Sequence, residues 1–195
     1  MGSRVELIIS EIEESIEVKK RLLNCDEIVK EMDSVAEALI AQYEKGKKLL
    51  IAGNGGSAAD AQHIAGELVS RFYFDRPALS AVALTTDSSI LTAIGNDYGY
   101  EKLFSRQIEG NGIEGDVFIA ISTSGNSQNI VEALKTAKNK NIITVGLSGE
   151  KIGAMDEYCD FIIKVPSCST PRIQEAHILI GHTLCMLIEQ KLFGE

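Results

Sequence analysis

Little in this chain of 195 residues is suited to crosslinking, to membrane insertion or to holding a long polyanion. Its four cysteines, Cys25, Cys159, Cys168 and Cys185, form no C-x-x-C pair. A chain this long buries a core without disulfides, so a reduced, cytoplasmic setting is expected. No apolar run approaches the ~20 residues that span a bilayer. The start, MGSRVELIISEIEES, has neither a basic n-region nor the cleavage site of a signal peptide. Met1-Gly2-Ser3 would suit myristoylation, but Glu6 stands where Ser or Thr is required. Positive charge is short as well: the net charge is −9 and the pI about 4.9, which argues against an extended contact with a nucleic-acid backbone. No nucleic acid and no membrane is therefore expected as a partner. One small phosphate stays compatible, because the amides of a loop bind an anion locally. Repeats, linkers and low-complexity stretches are also lacking, so 1–195 reads as one domain, with 1–46 as N-terminal helices and 47–195 as an α/β core.

What the chain does contain is organised around 48–72, KLLIAGNGGSAADAQHIAGELVSRF. Leu49-Leu50-Ile51-Ala52 has the length and composition of a buried parallel strand. Gly53-Asn54-Gly55-Gly56 forms a side-chain-poor turn, and Ser57, with Asp60 three residues on, reads as a capping box opening a helix. Strand, bare turn and helix N-terminus together make a natural anion site. Upstream, the apolar residues of 4–23 (Val5, Ile8, Ile9, Ile12, Ile16, Leu22, Leu23) form one stripe of an amphipathic helix. A second helix runs from Asp26 to a C′ glycine at Gly46. These two helices cover a sheet face and either build a subunit interface or complete the core.

Downstream, strands are expected over 79–84, 116–121, 142–147 and 161–165, and helices over about 88–94, 101–109, 128–139, 153–157 and 171–192. The alternation predicts an α/β, three-layer αβα sandwich with a doubly wound, five-stranded parallel sheet. Ser122-Thr123-Ser124-Gly125-Asn126-Ser127 follows the third strand and supplies four hydroxyls around a glycine. In open α/β sheets ligands bind beyond the carboxyl ends of the strands, where both polar turns fall. Taken alone, each is equally well a tight turn with a serine cap. The first lacks the Lys-Ser/Thr of a P-loop and neither spells G-x-G-x-x-G, which disfavours a nucleotide.

The chain has three histidines. His63 and Glu67, four apart, share a helix face as metal ligands, an acid–base pair or a surface ion pair, the last being commonest for an isolated pair. His177 and His182 lie on the last helix, and His182, inside an apolar stretch, reads by itself as a core histidine.

GNGGSAADAQHIAGEL, LTAIGNDYG, ISTSGNS and PRIQEAHILIGH together resemble the phosphoheptose isomerases of the sugar isomerase (SIS) family, over nearly the whole chain. GNGGS and STSGNS are shared widely among SIS proteins, whereas D-x-x-H-x-x-x-E and R-I-Q-E-x-H-x-x-x-x-H are more specific. The resemblance implies that Asn54, Gly55, Gly56, Ser57, Glu67, Asn96, Asp97, Ser122, Thr123, Ser124, Ser127 and Gln174 contact a sugar phosphate, with Arg71 completing the pocket. It implies Glu67 and His182 as the acid–base pair, and His63, Glu67, Gln174 and His182 as ligands of one zinc ion (Zn2+) per subunit. Some members carry an acidic residue where Pro171 stands. The implied reaction is an aldose–ketose isomerisation of sedoheptulose 7-phosphate, the first step towards activated heptose for surface polysaccharide. Rival readings are a non-catalytic SIS module that binds a sugar phosphate or a replication initiator, and an isomerase of another sugar phosphate.

Spacing adds a constraint. Gln174 and His182 are eight residues apart, so on one continuous helix their Cα atoms stand ~12 Å apart. One ion could hardly take both from one copy unless Gln174 sits in an irregular first turn, so a site shared between copies of the chain is expected, and the resemblance implies a homotetramer.

Overall fold

The computed structural model describes residues 3–194. Met1 and Gly2, where the myristoylation pattern falls, lie outside that range. The chain opens with helices α1 (Arg4–Leu23) and α2 (Asp26–Glu44). Strand β1 (Leu49–Gly53) and helix α3 (Gly56–Val69) follow, then β2 (Ala81–Ala83), α4 (Ser88–Tyr98) and α5 (Ser105–Asn111). The remainder is β3 (Val117–Ile121), α6 (Gln128–Asn139), β4 (Ile143–Gly149), β5 (Phe161–Val165) and α7 (Thr170–Phe193). Among the described residues no helix is long and apolar enough to cross a membrane.

The five strands are all parallel, in the order β2-β1-β3-β4-β5. Strands β1 and β3 are buried throughout, which is why they read as unbroken apolar runs. Their residues alternate between two cores. Leu49, Ile51, Val117 and Ile119 pack with α1, α2, α3 and α7, while Leu50, Ala52, Phe118 and Ala120 pack with α4, α5 and α6. The result is the three-layer, doubly wound arrangement expected from the sequence. From the adjacent pair β1 and β3 the chain departs in opposite directions, to β2 on one side and β4 on the other. Their C-terminal ends therefore flank a topological switch point, the crevice where such sheets bind ligands.

Several boundaries differ from expectation. The edge strand β2 keeps three residues of the six expected, because it pairs on one side only and Val82 is 40% exposed. Helix α4 continues through Gly95 and stops at Gly99, whose φ of +88° ends it. Asn96 and Asp97 thus lie on its last turn rather than in a loop. The helix expected over 101–109 is divided into a 3₁₀ turn, Tyr100–Lys102, and α5. That expected over 153–157 is a single 3₁₀ turn at Asp156–Tyr158.

Candidate active site

Helix α3 begins at Gly56, one residue earlier than the capping-box reading required. Gly55 takes φ +56°, a conformation that glycine adopts without strain, and so turns the chain directly from β1 into the helix. Ser57 is then already inside the first turn and buried, and no side chain caps the helix. Asp60 is freed from the capping role. Its Oδ2 is buried with no hydrogen-bond partner among the described residues, and burial raises its carboxyl pKa while nearby His63 pulls it down. The N-terminus of α6 is likewise uncapped by Ser127, whose Oγ instead lies 3.0 Å from that of Ser122. Two helix starts with unclaimed N–H groups therefore face the crevice.

A pair of carboxamides joins the two turns. Asn54 Nδ2 donates to Asn129 Oδ1 at 2.9 Å, and Asn129 Nδ2 donates back to Asn54 Oδ1 at 2.8 Å. The Tyr100 hydroxyl donates to the same Asn54 oxygen at 2.9 Å. Asn129 is buried, and neither it nor Tyr100 was singled out from the sequence. Beside the serine-rich loop is a cavity of ≈250 Å³ lined by Thr123, Ser124, Gly149, Ser167 and Thr170.

Helices α3 and α7 lie side by side and run parallel. Gln174 abuts Gly56, so closely that a Cβ on Gly56 would lie 2.6 Å from its Nε2. Further along, a Cβ on Gly181 would lie 2.6 Å from Ile64 Cδ1. This close approach brings the three ionisable groups together. His63 Nε2 lies 3.1 Å from Glu67 Oε1 and 3.3 Å from His182 Nε2. The Phe72 ring packs 5.6 Å from that of His182. His182, read alone as a core histidine, is half-buried here and belongs to this cluster; the buried histidine is His177, whose Nε2 faces Ser148 O at 3.3 Å.

The donor set fits a metal ion. Donors bound at ~2.0–2.1 Å to one tetrahedral ion stand roughly 3.3 Å apart, and two imidazoles with a carboxylate are an ordinary catalytic zinc set. The three ligand atoms here all lie within 4.8 Å of one another. Gln174 is not among them in this protomer, since it stands at Gly56, two turns along α3 from His63. Arg71 is exposed and beyond the end of α3, and Asn96 and Asp97 are exposed with Asn96 Nδ2 donating to Asp97 Oδ1 at 2.7 Å. All four cysteines are free, and burial pushes Cys159 and Cys185 up to about 12, so neither serves as a thiolate nucleophile.

The SIS domain family model matches residues 14–149. Phosphoheptose isomerase 2 of Campylobacter jejuni is 61% identical over 182 residues, covering 93% of this chain and 90% of that protein. The phosphoheptose isomerase of Aneurinibacillus thermoaerophilus is 61% identical over 188 residues, covering 96% and 95%. The solved phosphoheptose isomerase of Francisella tularensis superposes with a TM-score of 0.93 at 36% identity, across 97% of this chain and all (100%) of that one.

Proposed function

This chain belongs to the SIS domain family and is a sugar-phosphate isomerase within it, and we propose that it converts sedoheptulose 7-phosphate to D-glycero-D-manno-heptose 7-phosphate. The observation that carries this reading is the convergence of His63, Glu67 and His182 from two helices, one of which begins at the glycine turn. A module that only binds has no use for that triad. The N-terminal amides of α3 and α6, with the hydroxyls of Ser122, Thr123, Ser124 and Ser127, hold the phosphate. Asn54, Gly55, Gly56 and Ser57, with Asn96 and Asp97, orient the sugar chain, and Arg71 completes the pocket.

Isomerisation moves a proton between neighbouring carbons through an enediol and another between their oxygens. The Glu67 carboxylate takes the carbon proton and returns it to the adjacent carbon. His182 Nε2 carries the oxygen proton when no metal is bound to it. A zinc ion, one per subunit, held by His63, Glu67 and His182, would polarise the carbonyl when bound.

Gln174 completes the ligand set from a second copy. In its own protomer it travels with Gly56, so a partner's Gln174 brings that partner's phosphate turn to this triad. The site is therefore shared, in a cytoplasmic homo-oligomer that we take to be a tetramer feeding heptose into surface polysaccharide. The test is turnover of sedoheptulose 7-phosphate with proton exchange at C1 and C2 in deuterated water. Wild type is expected to turn over, and Glu67→Gln to lose at least ~100-fold in kcat, as for a removed general base. Failure of the zinc-loaded, oligomeric wild type to turn over would leave another sugar phosphate, or pure binding, as the better account.

A further inference from the structure

Glu189 and Arg76 are sealed from solvent, their side chains 0% and 1% exposed, and they pair through Oε1 and Nε at 3.1 Å. Desolvating such a pair costs about what its attraction returns, so its use lies elsewhere than in raw stability. Its remaining hydrogen bonds show what it holds. Glu189 accepts from the backbone N–H groups of Phe72, Tyr73 and Phe74 at 2.9, 2.5 and 3.2 Å. Arg76 donates to the carbonyls of Glu67 and Leu68 at 2.9 and 2.6 Å. Those carbonyls belong to the last turn of α3, which has no further helix to satisfy them, and a cation suits that end of the dipole.

One ion pair thus closes α3 just beyond Glu67 and ties the following loop to α7 seven residues, two turns, beyond His182. Phe72, held by its own N–H, is the residue whose ring meets His182. We propose that Arg76 and Glu189 are positioning residues that set the separation of Glu67 from His182 and seat Phe72 against the His182 ring. Neither side chain touches the reacting groups; they act through the backbone of Glu67 and the face of His182. The inference rests on the reading of Glu67 and His182 as the working pair. Misplacing such groups by about 1 Å costs ~100-fold in rate.

The experiment compares Phe72→Leu and Glu189→Gln with wild type in three readouts: Co2+ affinity by visible absorption, kcat against KM, and the urea midpoint. Phe72→Leu keeps the ion pair and every backbone bond, so it is expected to fold as wild type does. It should lose about 10- to 100-fold in Co2+ affinity, and lose kcat with KM unchanged. Glu189→Gln should lose at least as much in both. Wild-type Co2+ affinity and kcat in a folded Phe72→Leu protein would overturn the proposal. So would Glu189→Gln losing only stability, with full kcat per folded molecule. If wild type turned over no sugar phosphate, the isomerase reading would fall while the Co2+ comparison still decided this one.

Discussion

His177 is buried and neutral, held at Ser148 O, with its Nδ1 unpartnered among the described residues. Burial lowers its pKa from 6.5 to about 4. Between those values the unfolded chain binds a proton that the folded chain refuses, so stability falls as pH drops from 6.5 towards 4. The full loss is about 3 kcal/mol. Urea midpoints measured from pH 7 to 4.5 should show this fall, and His177→Leu should flatten it. At this scale the sequence was half legible. His63 and Glu67 could be paired from their spacing alone, whereas His182 stands among apolar neighbours and looks like a core residue until α3 lies beside it. Asn129 was missed for a similar reason: its carboxamide is bound to one 75 residues away.

The elements that make the site are α3 and α7, and what lets them approach is Gly181 against Ile64. Gly181→Val should force the helices apart and cost about 1–3 kcal/mol through overpacking. A chemical denaturation curve checks the stability, and turnover measured alongside should fall further than the lost folded fraction explains. Element types were readable because β1 and β3 are unbroken apolar runs and α6 and α7 are long and periodic. Boundaries failed where a glycine decided them. Gly55, at positive φ, moved the start of α3 and removed the Ser57–Asp60 capping box, while Gly95, which looked like a stop, is accommodated inside α4.

Across the whole molecule the least settled surface is α1. Val5, Ile8, Ile12 and Ile16 are 63, 59, 55 and 47% exposed, although the stripe they form was expected to be covered. Only Val18 and Leu22 of that helix are buried, and polar contacts such as Ser15 to Glu175 at 2.6 Å hold it to α7. A second copy of the chain covers this stripe in the shared-site reading. An Ile8→Glu, Ile12→Glu double variant should sediment as a smaller species than wild type and lose most of its turnover with the lost Gln174 ligand. Full activity in a monomer would defeat that reading. The sequence by itself determined the layer architecture, the two polar turns and the His63–Glu67 face, because periodicity and turn chemistry are local properties. Only the tertiary structure decided that His182 joins them, that Gln174 in the same protomer does not, and that Arg76 with Glu189 brace the result. Those depend on which helices lie side by side, and that is fixed by packing between residues more than a hundred positions apart.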